Sequence, residues 1–301
     1  MADSGLFFPG AGPALFHLLL IFVQNDEKVA KKLGFPLDNC ALFLYNGCKY
    51  CDWRRGTLGE VITIASGKGG TGKTSLCAGI ASALSELNCS VLCVDCDVGL
   101  RNLDISLGIS DGALSFLDVC RGDYSLEQAA VHPDYPKLRF LTAPISCGPE
   151  DIDADAFREM VRTAKNQFDY VLLDAPAGVD AGLKLTAAVA DRILLVTGAD
   201  PAAVRDAART GQVLELMGKD KVRLIINRVR RKLLGSMDIN LDDVMDEAGL
   251  PLIGVVPEDT NVTLSASKRK PMLLFRRTPA AAACRRIAKR IQGMPVALPK
   301  K

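Results

Sequence analysis

From about residue 59 onward, the chain alternates short runs of successive apolar residues with segments whose apolar positions recur every three or four residues. The runs 61–65, 91–95, 138–142, 170–174, 192–197, 222–227 and 252–256 are apolar on both alternating faces, which predicts strands covered on both sides. Between most of them the period becomes helical, over 75–87, 153–165, 181–190, 201–217, 239–248 and 279–292. This alternation predicts an α/β fold in three layers, a mostly parallel central sheet flanked by helices.

Residues 1–57 break the pattern. They hold six of the eleven Phe, two of the five Tyr and the one Trp of a 301-residue chain. The apolar run over 14–23 is ten residues long, short of the roughly 20 that span a bilayer. No basic residue precedes it, as a secretory signal requires. The expected organisation is an N-terminal segment, 1–58, that reads as translated upstream sequence, followed by one domain over 59–301. Cys48 and Cys51 form a lone CxxC; with only Cys40 near them and no nearby His, they fall short of a four-ligand zinc set.

Composition narrows the class without naming a partner. A chain that is 49% hydrophobic and 24% charged is neither collagen-like nor mainly disordered. Ten cysteines scattered through a chain without a signal pattern point to a reducing cytoplasm. The net charge of +2 conceals an asymmetry: 26 basic and 35 acidic residues precede Thr260, and eleven basic and no acidic residues follow from there. On the predicted helix 279–292, Cys284, Ile287, Ala288 and Ile291 make an inward stripe beside Arg285, Arg286, Lys289 and Arg290. That basic flank is a candidate contact for an anionic membrane surface or for DNA phosphate, and the residues alone do not choose between these polyanions.

The sharpest chemical signal is Gly67-Lys-Gly-Gly-Thr-Gly-Lys-Thr74, placed after a predicted strand and at the start of a predicted helix. It matches a P-loop: glycines admit phosphate oxygens to backbone N–H groups, Lys73 reaches the terminal phosphates, and Thr74 offers its hydroxyl to Mg²⁺. Two more segments place carboxylates at the C-terminal ends of strands, Asp95-Cys-Asp-Val-Gly-Leu-Arg-Asn-Leu-Asp104 and Asp174-Ala-Pro-Ala-Gly-Val-Asp180. Open α/β sheets bind ligands along that edge. Asp95 also suits a turn cap.

With the extra lysine Lys68 inside its loop, the motif resembles the deviant Walker A of the MinD and ParA group of ATPases. The two carboxylate segments, and Val256-Pro-Glu-Asp259, are similar to the MinD branch over about 59–293. The resemblance implies a P-loop NTPase that binds ATP and Mg²⁺ and hydrolyses ATP as a homodimer. It also implies a role in placing the division septum, at the inner face of the cell membrane, with a protein activator or division inhibitor as partner, and it makes DNA the less favoured polyanion.

Carried over residue by residue, the ATP site is Lys68, Gly69, Gly70, Thr71, Gly72, Lys73, Thr74, Ser75, Asn227, Arg228 and Pro257. Lys68, Lys73 and Asp97 are the expected catalytic residues, Lys68 reaching a partner's nucleotide. Thr74 is the expected Mg²⁺ ligand, with Asp97 and Asp174 acting through water. The branch's terminal amphipathic helix has no counterpart in 294–301, where Pro295 and Pro299 interrupt the chain. The alternatives are a ParA-like or flagellar-number positioning ATPase and, more distantly, an iron–sulfur carrier on the same fold.

Overall fold

The computed structural model describes residues 58–297, apart from 110–112, 145–147, 149–150, 231–240 and 276. The N-terminal segment with Cys48 and Cys51, and the basic residues Arg276, Lys300 and Lys301, lie outside the described residues. Leu58–Lys301 forms one compact unit.

Among the described residues, eight strands make one sheet: β1 (Glu60–Ala65), β2 (Val91–Asp95), β3 (Ala130–Val131), β4 (Leu138–Leu141), β5 (Tyr170–Asp174), β6 (Arg192–Thr197), β7 (Val222–Val229) and β8 (Leu252–Pro257). Their order is β3-β4-β2-β5-β1-β6-β7-β8, parallel throughout except for the short β3 against β4. β1 lies between β5 and β6, so the connections diverge on either side of it, and its C-terminal end is the expected ligand edge.

Among the described residues, nine α-helices flank these strands: α1 (Lys73–Glu86), α2 (Leu103–Leu107), α3 (Phe116–Cys120), α4 (Ala154–Gln167), α5 (Ala181–Val189), α6 (Pro201–Leu216), α7 (Leu241–Ala248), α8 (Thr260–Ser267) and α9 (Pro279–Ile291). Alternate residues of β1 divide the core. Ile62 and Ile64 face a cluster with α1, α2 and α9, while Val61 and Ala65 face clusters built with α3 to α7. That is the three-layer arrangement the apolar pattern predicts.

Local chemistry fixes several helix starts. Asp153 accepts the amides of Asp155 and Ala156 to begin α4, and Asp200 accepts Ala203 N at the start of α6, with Pro201 next in line. Helix α1 begins without a side-chain cap, at a left-handed Gly72.

Helix α9 adds detail that its sequence does not carry. Its stripe Cys284, Ile287, Ala288 and Ile291 is buried as expected, against α1 and β8. The basic flank, however, is not four free cations. Arg285 grips Glu86 with two hydrogen bonds of 2.6 and 2.8 Å, and Arg290 donates to the carbonyls of Ile253, Val296 and Ala297. Those two arginines hold the helix and the following chain in place. Among the described residues, no helix is long and apolar enough to cross a membrane.

Candidate functional site

The glycine-rich turn leaves β1 and enters α1. Gly70 and Gly72 take left-handed φ values of +80° and +87°, which a side chain would strain. A Cβ on Gly67 would lie 2.5 Å from the Asp206 carbonyl oxygen on α6, and one on Gly72 would lie 2.4 Å from Asn227 Nδ2. Those two glycines allow the loop to pack against its neighbours. Gly69 and Gly70 instead face open space, the side from which a phosphate would approach.

Beneath the loop, Lys73 Nζ donates to Asp174 Oδ1 at 2.7 Å; the two side chains are only 6% and 0% exposed. Burial opposes the lysine's charge, but the Asp174 carboxylate outweighs it and the Lys73 pKa is raised. Burial also raises the pKa of Asp174, against the opposing pull of Lys73 and a weaker one from Thr74. Asp174 Oδ2 and Thr71 Oγ1 are buried without a hydrogen-bond partner among the described residues. The Thr74 hydroxyl lies 3.5 Å from Lys73 Nζ. A buried cation, two orphaned oxygens and a hydroxyl beneath an open glycine turn fit a metal–phosphate group chemically.

Asp95 lies opposite Asp174 in the register of β2 and β5. Its oxygens accept the amides of Asp97, Asn102 and Leu103 at 3.0, 3.2 and 3.1 Å, pinning the loop that carries Asp97. Burial, reinforced by Asp174, raises its pKa to about 6 despite those hydrogen bonds. Its role as a turn cap is what the sequence suggested. Asp97 is half-buried on the pinned loop, and its charge raises the pKa of both Lys73 and Asp174.

The end of β7 clasps the loop from the other side. Asn227 Nδ2 donates to the Thr71 carbonyl at 2.7 Å and Arg228 Nη1 to the Gly70 carbonyl at 3.1 Å. Arg228 holds a left-handed φ of +57°, and it shares Glu258 with Arg230. Asn227, Arg228 and Glu258 border two cavities, of about 360 and 210 Å³. The larger runs past Lys68, Gly69, Gly70 and Thr71; the smaller is lined by Gly72, Ser75, Pro257, Val262 and Met272.

The fold thus gathers the P-loop, Asp97, Asp174, Asn227, Arg228 and Pro257 at one sheet edge. Sequence reasoning missed Asp200 and Arg230, and quoted Glu258 without a role. Asp200 carried a readable signal, an acidic residue directly before a helix-initiating proline, but that signal speaks only of a cap. Among the described residues, no group of three or more His, Cys, Asp or Glu is placed to hold a metal.

Comparison with known proteins identifies the family. Residues 62–272 match the CobQ/CobB/MinD/ParA nucleotide binding domain. The septum site-determining protein MinD of Bacillus subtilis is 35% identical over 246 residues, 80% of this chain and 92% of its own. Among solved structures, the MinC:MinD cell division protein complex of Aquifex aeolicus matches with a TM-score of 0.75 and 32% identity, over 80% of this chain and 99% of that one. The MinD of Pyrococcus horikoshii, solved with Mg-ADP, matches with a TM-score of 0.69 and 28% identity, over 78% and 96%. A glycine cradle over a buried Lys73–Asp174 pair, on this strand order and with these relatives, places the chain in the MinD branch of the CobQ/CobB/MinD/ParA nucleotide-binding family.

Proposed function

We propose that this chain is an ATP-driven dimerising switch that regulates where the division septum forms. The observation that carries the reading is the buried Lys73–Asp174 pair beneath an open glycine cradle, in a chain whose relatives are septum site-determining proteins. The amides after Gly69 and the N-terminus of α1 receive the phosphates of ATP, and Lys73 neutralises their charge. Asn227, Pro257 and Ser75 line the smaller cavity, which takes the adenine. Asp97 orients the attacking water on a loop whose position Asp95 sets. Lys68 serves the nucleotide of a second copy.

Thr74 would hold Mg²⁺ directly, with Asp97 and Asp174 acting through water, and the ion would neutralise charge on the phosphates. Because the Aquifex relative was solved with MinC, a division inhibitor is the proposed protein partner, and an anionic membrane is the proposed surface. No observation favours the ParA-like or iron–sulfur readings over this one.

Sedimentation velocity with Mg²⁺ and either ATP or ADP tests the switch. The expected result is a dimer with ATP and a monomer with ADP, and a dimer that persists with ATP in Asp97→Ala, which keeps the cradle and loses water positioning. A chain that stays monomeric with both nucleotides overturns the reading.

A further inference from the structure

Between β8 and α9 the chain makes a closed excursion. Asp259 accepts the amide of Asn261 at 2.9 Å and that of Ala280 at 3.2 Å, so one carboxylate pins the start of α8 and the start of α9 together. In between, α8 packs on a short 3-10 turn, Met272–Leu274, whose Met272 and Leu273 are buried in the core.

Helix α8 ends in two backbone bonds of 3.0 Å, from Arg269 N to the Ala266 carbonyl and from Lys270 N to the Ser265 carbonyl. In this Schellman ending the left-handed position normally falls to glycine, yet here Arg269 holds it, with a φ of +46°. The Arg269 carbonyl also packs on Gly108 at the end of α2, where a Cβ would lie only 2.5 Å from it. The ending is therefore fixed in place, and it leaves Lys268, Arg269 and Lys270 exposed in succession.

Apolar surface lies beside these charges. Leu264 precedes Lys268 by one turn on the same face of α8, and Lys268 Nζ lies 6.0 Å from the centre of the Phe275 ring, next to Leu274. Leu264 and Leu274 are 42% and 45% exposed. Lys268, Arg269, Lys270 and the exposed Arg277 make no ion pair among the described residues, and no acidic residue follows Asp259 in the chain. The dipole at the end of α8 favours a cation nearby, but it explains neither four of them nor the leucines between them.

We propose that this patch, Lys268, Arg269, Lys270 and Arg277 with Leu264 and Leu274, is the surface that contacts an anionic lipid bilayer. It deepens the reading above that an anionic membrane is the surface, and rests on it. The cations meet lipid phosphates while the leucines enter the boundary between headgroups and acyl chains, a pairing that suits a bilayer better than the phosphates of a nucleic acid. The flank of α9 is the weaker candidate, because Arg285 and Arg290 are spent on Glu86 and on backbone carbonyls.

The test is co-sedimentation of the full chain, with Mg²⁺ and a non-hydrolysable ATP analogue, on vesicles of mixed phosphatidylglycerol and phosphatidylcholine and on vesicles of phosphatidylcholine alone. The parent is expected to bind only the anionic vesicles. A basic residue near such a surface contributes roughly fivefold, so Lys268→Gln, Arg269→Gln and Lys270→Gln combined should bind about 100-fold more weakly. Arg286→Gln with Lys289→Gln, on α9, should stay within about threefold of the parent. Leu264→Ser with Leu274→Ser should lose about tenfold, and that loss should persist at high salt, which screens charge and not apolar burial. Equal losses in the triple variant and the α9 variant, or a leucine variant that binds as tightly as the parent, overturn the patch and leave the membrane reading intact. A parent that binds neither vesicle overturns both, and one that instead binds duplex DNA through the same three cations overturns the lipid assignment.

Discussion

At the residue scale, the site depends on charges held where water cannot reach them. Lys73 and Asp174 compensate each other inside the sheet edge, so Lys73→Ala leaves a buried carboxylate alone and is expected to lower unfolding stability by about 3 kcal/mol. Adding Asp174→Ala should recover part of that stability but no nucleotide binding; urea denaturation and ATP titration read the two effects separately. Asp95 gives a pH dependence. Its pKa rises from 3.8 to about 6 on folding, so between those values the folded chain holds a proton that the unfolded chain has lost. Ionising it therefore costs the folded state stability as pH rises through that window, by up to about 3 kcal/mol, and the penalty stays constant above it. The stability of the nucleotide-free parent, minus that of Asp95→Asn, should accordingly be larger at pH 4 than at pH 7. An equal difference at the two pH values would show that Asp95 does not titrate in this way. The loop glycines, Lys73 and the strand-end carboxylates were legible in the sequence because local backbone geometry and phosphate chemistry demand those residue types. The Lys68–Asp200 pair, 132 positions apart, and the Asn227–Thr71 clasp were not, because nothing local specifies which polar groups the fold will bring together.

At the element scale, seven of the eight described strands and six of the nine described helices, α1, α4, α5, α6, α7 and α9, were legible from apolar periodicity, since each carries enough patterned residues to show a period. Helices α2 and α3, with five residues each, and the two-residue β3 are too short for that, and α8 is weakly patterned. Periodicity also placed the buried stripe of α9 correctly but said nothing of where its arginines turn. Arg290 ties α9 to β8 and to the chain after it through three backbone carbonyls, whereas Lys289 is exposed. Arg290→Gln is expected to cost about 1–3 kcal/mol, lowering the melting temperature by several degrees, while Lys289→Gln changes it by a degree or less. Equal effects of the two substitutions in a thermal melt would contradict this assignment.

On the scale of the whole molecule, every described strand and every residue of the candidate site belongs to the unit Leu58–Lys301. Deleting residues 1–57 should therefore leave the melting temperature within a few degrees of the parent's and preserve ATP turnover; aggregation of the shortened chain, or loss of turnover, would show that the segment contributes to the fold. The sheet places the open glycine cradle at the end of β1, flanked by Asp174 on β5 and by the Asn227 clasp on β7, and the role proposed for this edge is to bind and hydrolyse ATP. Phosphate release from ATP and Mg²⁺, measured side by side for the parent and Lys73→Ala, tests it most directly. Steady release by the parent and none above background by Lys73→Ala is expected; equal release by the two proteins would rule out ATP hydrolysis at this edge.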